Sequence, residues 1–154
     1  LQLCNFKTFK GKKMNTEPII VERTLNAPIS KVWEAISNKE TMKEWYFDFQ
    51  EYKPEVGCEF YFVAGDATRQ FKHLCKLMEL QEGSKIAYSW RYEGYTGNSL
   101  VTFELFAEGG KTRLVLTHSG LETFPADAPE LERKNFEGGW DHIINVGLPA
   151  FVEK

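Results

Sequence analysis

"NFEGGWDHIINVGLPAF", Asn135 to Phe151, is the stretch that decides the fold. Phe136, Trp140, Ile143, Ile144 and Leu148 recur at intervals of three and four, the spacing of one apolar helix face. The stretch predicts a long final helix from about Pro129 to Glu153, with Trp140, Ile143, Ile144 and Ala150 turned inward. Two features resist a plain helix. Gly138 and Gly139 are adjacent, and each costs about 1 kcal/mol relative to alanine in a helix interior. Pro149 cannot donate to the preceding turn. A bare backbone at the glycines would let strands or a ligand come close. Asp141 and His142 look like an acid–base pair but are neighbours on a helix. Their side chains diverge by about 100°, which leaves Asp141 on the solvated side and no dyad.

A helix this apolar needs a surface to cover, and the preceding sequence supplies one. "PIIVERTL" (Pro18 to Leu25) is β-branched and reads as a strand. From about Phe49 the period becomes two. Phe60 and Phe62 share a face in "EVGCEFYFVAG", as do Ile86, Tyr88 and Trp90 in "KIAYSWRYEG". In "NSLVTFELFAEGGKTRLVLTHSG", Val101, Phe103 and Leu105 alternate, Gly109-Gly110 turns the chain, and Leu114, Leu116 and His118 alternate back. Between the first strand and this run, "NAPISKVWEAIS" places Ile29, Val32, Trp33 and Ile36 on one helical stripe, with Pro28 at its start. "NKETMKEWY" predicts a second short helix capped by Asn38. A strand, two short helices, a run of antiparallel strands and one long apolar helix define an α+β fold. One helix can cover so many strands only if the sheet curves around it.

A chain of 154 residues is long enough for one domain with a real core. Its 14% aromatic content excludes a disordered chain. The net charge of -3, with no basic block beyond residue 13, argues against nucleic acid as partner. No apolar run approaches the roughly 18 residues that span a membrane. Three cysteines without a CxxC or Cys/His spacing favour reduced thiols, hence a cytoplasmic location, and give no metal site. "LQLCNFKTFKGKK", residues 1–13, is basic and polar and reads as a disordered leader or upstream sequence, with a basic targeting arm as the alternative. The domain is expected over residues 14–154.

Several stretches now point one way. "NAPISKVWEAISNKETMKEWY" resembles the opening of the START-like (helix-grip, SRPBCC) superfamily through Ala27-Pro28, Val32-Trp33 and Trp45. More narrowly, it resembles the branch named after the C-terminal domain of the activator of the 90-kDa heat-shock protein ATPase. "PEVGCEFYF", "KIAYSW", "TRLVLTHSG" and "GGWDHIINVGL" come after it in the family's order, so the resemblance covers about residues 17–154. It implies a curved antiparallel sheet of six or seven strands gripping the C-terminal helix, with a cavity between them. Family members bind lipids, sterols, polyketides or other apolar ligands, and some are cyclases or hydrolases. The eukaryotic co-chaperone carries a large further domain, which residues 1–13 do not match; this counts against chaperone activation.

The aromatic residues carry the functional expectation. Trp45, Phe47, Phe60, Phe62, Tyr88 and Trp90 lie on faces turned toward one space. Phe103, Phe136, Trp140 and Ile144 face it from the other elements, and Gly139 leaves room on the helix. Apolar walls with few polar groups are what ligand pockets have, although a filled core has the same composition. His118 is the expected polar anchor because it alternates with Leu114 and Leu116. The side that His73 faces is undecided by its mixed surroundings. Phosphate-loop, dinucleotide and Gly-x-Ser-x-Gly motifs are absent. The sequence thus predicts a non-enzymatic binder of a small hydrophobic molecule, with no cofactor. A chaperone-interacting module is the alternative, and a cyclase- or hydrolase-type enzyme is a third reading.

Overall fold

A computed structural model describes residues 15–154 of the protein. The leader expected over residues 1–13 lies outside them.

Six strands form one antiparallel sheet: β1 (Ile19–Leu25), β2 (Glu59–Gly65), β3 (Gln70–Gln81), β4 (Lys85–Tyr92), β5 (Ser99–Glu108) and β6 (Lys111–Ser119). Their order across the sheet is β1-β6-β5-β4-β3-β2, so the first strand lies beside the last. The chain crosses from β1 to the far edge through α1 (Ile29–Ser37) and α2 (Lys39–Trp45). Pro28, expected at the first position of α1, stands one residue before it as the N-cap; the hairpin turn and the cap of α2 are as expected. Glu108 pairs with Lys111 around Gly109 and Gly110, and Gly109 has φ of 67°, which favours glycine. Asn38 Oδ1 accepts from the amides of Glu40 (3.0 Å) and Thr41 (3.1 Å), capping α2. Val32, Trp33 and Ile36 of α1 are buried, and Trp33 Nε1 donates to Glu82 Oε2 at 3.0 Å.

The inner face of the sheet obeys the alternation. Val101, Phe103 and Leu105 lie opposite His118, Leu116 and Leu114, and all six are buried. They meet the C-terminal helix through Trp140, Ile144 and Leu148. This is a helix-grip fold: an α+β domain in which one sheet face wraps the final helix.

That helix is not continuous from Pro129, as the sequence predicts. Pro129–Leu131 is a separate 3₁₀ turn, and α3 runs over Arg133–His142. A π turn occupies Ile143–Gly147, before α4 (Leu148–Val152). The π turn has a local cause. Pro149 has no amide for the Asn145 carbonyl. Arg23 of β1 takes that role, its Nη1 reaching the Asn145 carbonyl at 3.4 Å and its side-chain Oδ1 at 3.3 Å. The wider turn also rotates α4 about the helix axis. Leu148, Pro149 and Val152 are therefore buried, whereas Ala150, expected inward, is exposed.

Candidate functional site

A cavity of about 680 Å³ opens between the β2–β3 end of the sheet and α3. Its floor is His73 of β3 with Trp90 and Tyr92 of β4, and Phe47 from the segment after α2 closes one side. Its roof is Phe136, Gly139 and Trp140 of α3, continued by Ile143. Polar groups are confined mainly to the mouth, where the β2–β3 turn faces Glu130 and Asn135.

The sequence builds that turn tightly. Asp66 Oδ1 accepts from the Thr68 amide (2.8 Å), the Thr68 hydroxyl (2.7 Å) and the Arg69 amide (2.9 Å). These bonds hold its carboxyl below the usual carboxylate range. Gly65 is required there, because a Cβ would run into the Arg69 carbonyl oxygen. Arg69 thereby projects across the mouth. Its Nη1 donates to Glu130 Oε2 at 2.8 Å, and its Nη2 donates to Tyr95 Oη at 2.7 Å. The ion pair is solvent-exposed, and such pairs contribute about 0–1 kcal/mol.

Four of the residues nominated from sequence border the cavity: Trp90, Phe136, Gly139 and Trp140. Phe47, named with them, also lines it. Phe62 lies behind this wall, stacked on Phe47 (4.4 Å between centroids) and His73 (4.2 Å). Phe60, Tyr88, Phe103 and Ile144 are buried in the core beyond. Trp45 is half-buried, and its Nε1 donates to the Ala35 carbonyl at 2.8 Å.

His118 also stands outside the wall, with both ring nitrogens engaged by the protein. Trp140 Nε1 can only donate, and it meets His118 Nδ1 at 2.9 Å. Ser99 Oγ gives its proton to the Trp90 carbonyl (2.7 Å) and so accepts from His118 Nε2 (2.8 Å). The imidazole is fixed as one neutral tautomer, and burial lowers its pKa to about 3. It ties α3 to the sheet and offers nothing to a ligand.

The lining residues not nominated include His73, Tyr92, Phe71 and the mouth group. Parity within the strands is the usable signal. Tyr92 continues the face of Tyr88 and Trp90, and His73 shares parity with the buried Cys75 and Leu77. His73 Nδ1 lies 3.0 Å from the Phe71 carbonyl, which can only accept. Burial lowers its pKa to about 4, against the opposing pull of the Phe71 and Phe62 carbonyls. Tyr92 Oη accepts from Trp90 Nε1 at 2.8 Å, and burial raises its pKa.

No serine, cysteine or lysine lines the cavity. Among the described residues, no group of three or more His, Cys, Asp or Glu is placed to hold a metal ion. None of their helices is long and apolar enough to cross a membrane. What the arrangement offers chemically is an apolar, aromatic slot with a polar rim.

A helix gripped by a curved sheet over such a slot defines a START-type domain. Residues 26–153 match the family described as Activator of Hsp90 ATPase homolog 1-like protein, and the chain belongs to that family. Solved structures share the fold. CV1439 from Chromobacterium violaceum is 23% identical with a TM-score of 0.73, over 90% of this chain and 98% of that one. BH1534 from Bacillus halodurans is 26% identical with a TM-score of 0.68, over 88% of this chain and 96% of that one. DynU16, from the dynemicin biosynthetic locus, is 17% identical with a TM-score of 0.74 over 91% of this chain. The chain spans 48% of the length of DynU16. No curated protein matches the chain.

Proposed function

We propose that the protein binds a small hydrophobic molecule in the cavity between the sheet and α3, without transforming it. The observation that carries this reading is at Gly139. The residue borders the cavity, and a Cβ added there meets nothing within 4 Å. Gly139 is exposed on the cavity's open side, so a side chain placed there would enter the space a ligand would take. The aromatic wall suits a ring- or chain-bodied ligand, whose affinity would come from apolar burial at roughly 25 cal/mol per Å². The origin of DynU16 in a biosynthetic locus agrees with a small-molecule role for this fold.

The test is a fluorescence titration of the wild type and Gly139→Leu with a lipid- and polyketide-like panel, alongside thermal melts. Wild type should bind at least one class saturably. Leucine should fill the open space and block binding. It should not lower the melting temperature, because it replaces a helix-interior glycine that costs about 1 kcal/mol. Absence of saturable binding across the panel would overturn the proposal and put the chaperone-interacting reading ahead.

A further inference from the structure

We propose that the cavity selects ligands whose ring body carries a hydroxyl group, held between His73 Nε2 and Tyr92 Oη. This rests on the ligand-cavity reading above and names the ligand class.

Among the described residues, two groups of the wall have hydrogen-bonding capacity left over, and they are complementary. Because His73 Nδ1 faces the Phe71 carbonyl, it bears the ring proton, and Nε2 carries the lone pair. No described residue donates to Nε2. Among the described residues, Arg23 Nε is the one fully buried side-chain nitrogen or oxygen without a partner. His73 Nε2 is therefore not sealed within protein, and the open space that His73 borders is the cavity. Tyr92 Oη already accepts from Trp90 Nε1, so its own proton is the group left to give. No described residue accepts that proton. The two rings are neighbours, 4.6 Å apart and inclined at 58°. Both residues line the cavity, so its wall offers an imidazole acceptor and a phenol donor on neighbouring rings.

A hydroxyl answers both at once: it donates to Nε2 and accepts from the tyrosine. An ether oxygen can satisfy only the tyrosine. A carboxylate can also take the tyrosine proton, but it sets negative charge against a lone pair. His73 does not help the carboxylate, since burial keeps the ring neutral. A pure hydrocarbon displaces water from both groups and returns no hydrogen bond, so it forfeits affinity. Around the pair, Trp90, Trp140, Phe136 and Phe47 supply ring faces. A phenol or enol on a fused planar ring system fits the whole wall.

The test uses pyrene, hydroxypyrene, methoxypyrene and pyrenecarboxylate, titrated by fluorescence against the full chain at neutral pH. Hydroxypyrene should bind about tenfold more tightly than pyrene or methoxypyrene, the combined net effect of two modest hydrogen bonds. His73→Phe and Tyr92→Phe should each reduce that preference several-fold while pyrene binding persists, which also reports an intact cavity. The wild-type series decides the matter even if a variant fails to fold. Pyrene binding with no hydroxyl preference would overturn this inference and leave the hydrophobic cavity standing. Tightest binding of pyrenecarboxylate would overturn it in favour of recognition by Arg69 at the mouth. No binding of any of the four would overturn both readings.

Discussion

Acid should unfold this protein through two histidines buried in neutral form. His118 is 0% exposed and His73 is 7% exposed. Burial lowers their pKa values to about 3 and about 4, from an unfolded value near 6.5. Between the folded and unfolded values, the unfolded chain holds protons that the folded chain does not. Stability therefore rises with pH across that window. The contribution is complete above about pH 6.5 and is lost progressively as pH falls toward the folded values. Each histidine supplies a slope of about 1.4 kcal/mol per pH unit, so the pair gives about 3 kcal/mol per unit between roughly pH 6 and 4. Over the whole window the pair contributes at most about 8 kcal/mol, comparable to a typical domain stability of about 5–15 kcal/mol. The measurement is urea unfolding at several pH values from neutral downward. His118→Gln is the informative variant: its amide oxygen can accept from Trp140, its amide nitrogen can donate to Ser99, and it does not titrate. It should roughly halve the slope, and adding His73→Gln should remove most of the remainder. A flat profile between about pH 6 and 5 in the wild type would refute the argument. So would an undiminished slope in the double variant.

Packing and local structure set three further outcomes. Trp33→Ala should lose about 3–5 kcal/mol in denaturant melts, because the indole is 5% exposed in the core; a loss below about 1 kcal/mol would contradict its structural role. Gly138→Ala should raise stability by about 0.5–1 kcal/mol, since a Cβ there meets nothing within 4 Å; a lower melting temperature would mean that the glycine has neighbours in solution. Asn38→Ala should lose about 1 kcal/mol by stranding two amides of α2, and chemical denaturation resolves a change of that size.

The fold is legible because every inward position in β5 and β6 announces itself by alternation, and Gly109-Gly110 fixes their register. The same parity places Phe60, Tyr88 and Phe103 inward, and they are. Parity does not say how deep a residue sits on a curved face. Depth depends on where the helix touches the sheet and where it lifts away, and that is set by contacts distant in sequence. Phe60 and Trp90 look alike as inward aromatics, yet only Trp90 borders the cavity. His118 illustrates the same gap. An inward histidine reads as a free polar anchor until the indole of Trp140 and the hydroxyl of Ser99 are found to occupy both nitrogens. Those partners lie 22 and 19 residues away, beyond the reach of any local pattern. His73 is harder still: only its shared parity with Cys75 and Leu77 points it inward, and a histidine between lysines reads equally as a surface residue.

The paired glycines bear the argument about function furthest. The sequence predicts that bare backbone lets strands or a ligand come close, and no strand does: beyond its own helix turn, neither glycine has an atom within 4 Å of where a Cβ would stand. Together they forgo about 2 kcal/mol of helix propensity with no packing return. Stability alone would favour alanine at both. Gly139 borders the cavity between Phe136 and Trp140, and under the proposed function the compensation there is space. Gly138 does not border it, and nothing in the structure explains that residue. The two positions therefore separate the explanations: filling Gly138 tests helix stability alone, whereas filling Gly139 tests the cavity as well. A chain that kept Gly139 only for want of a better residue would bind its ligands equally well with leucine there. A chain that keeps it for the cavity would not.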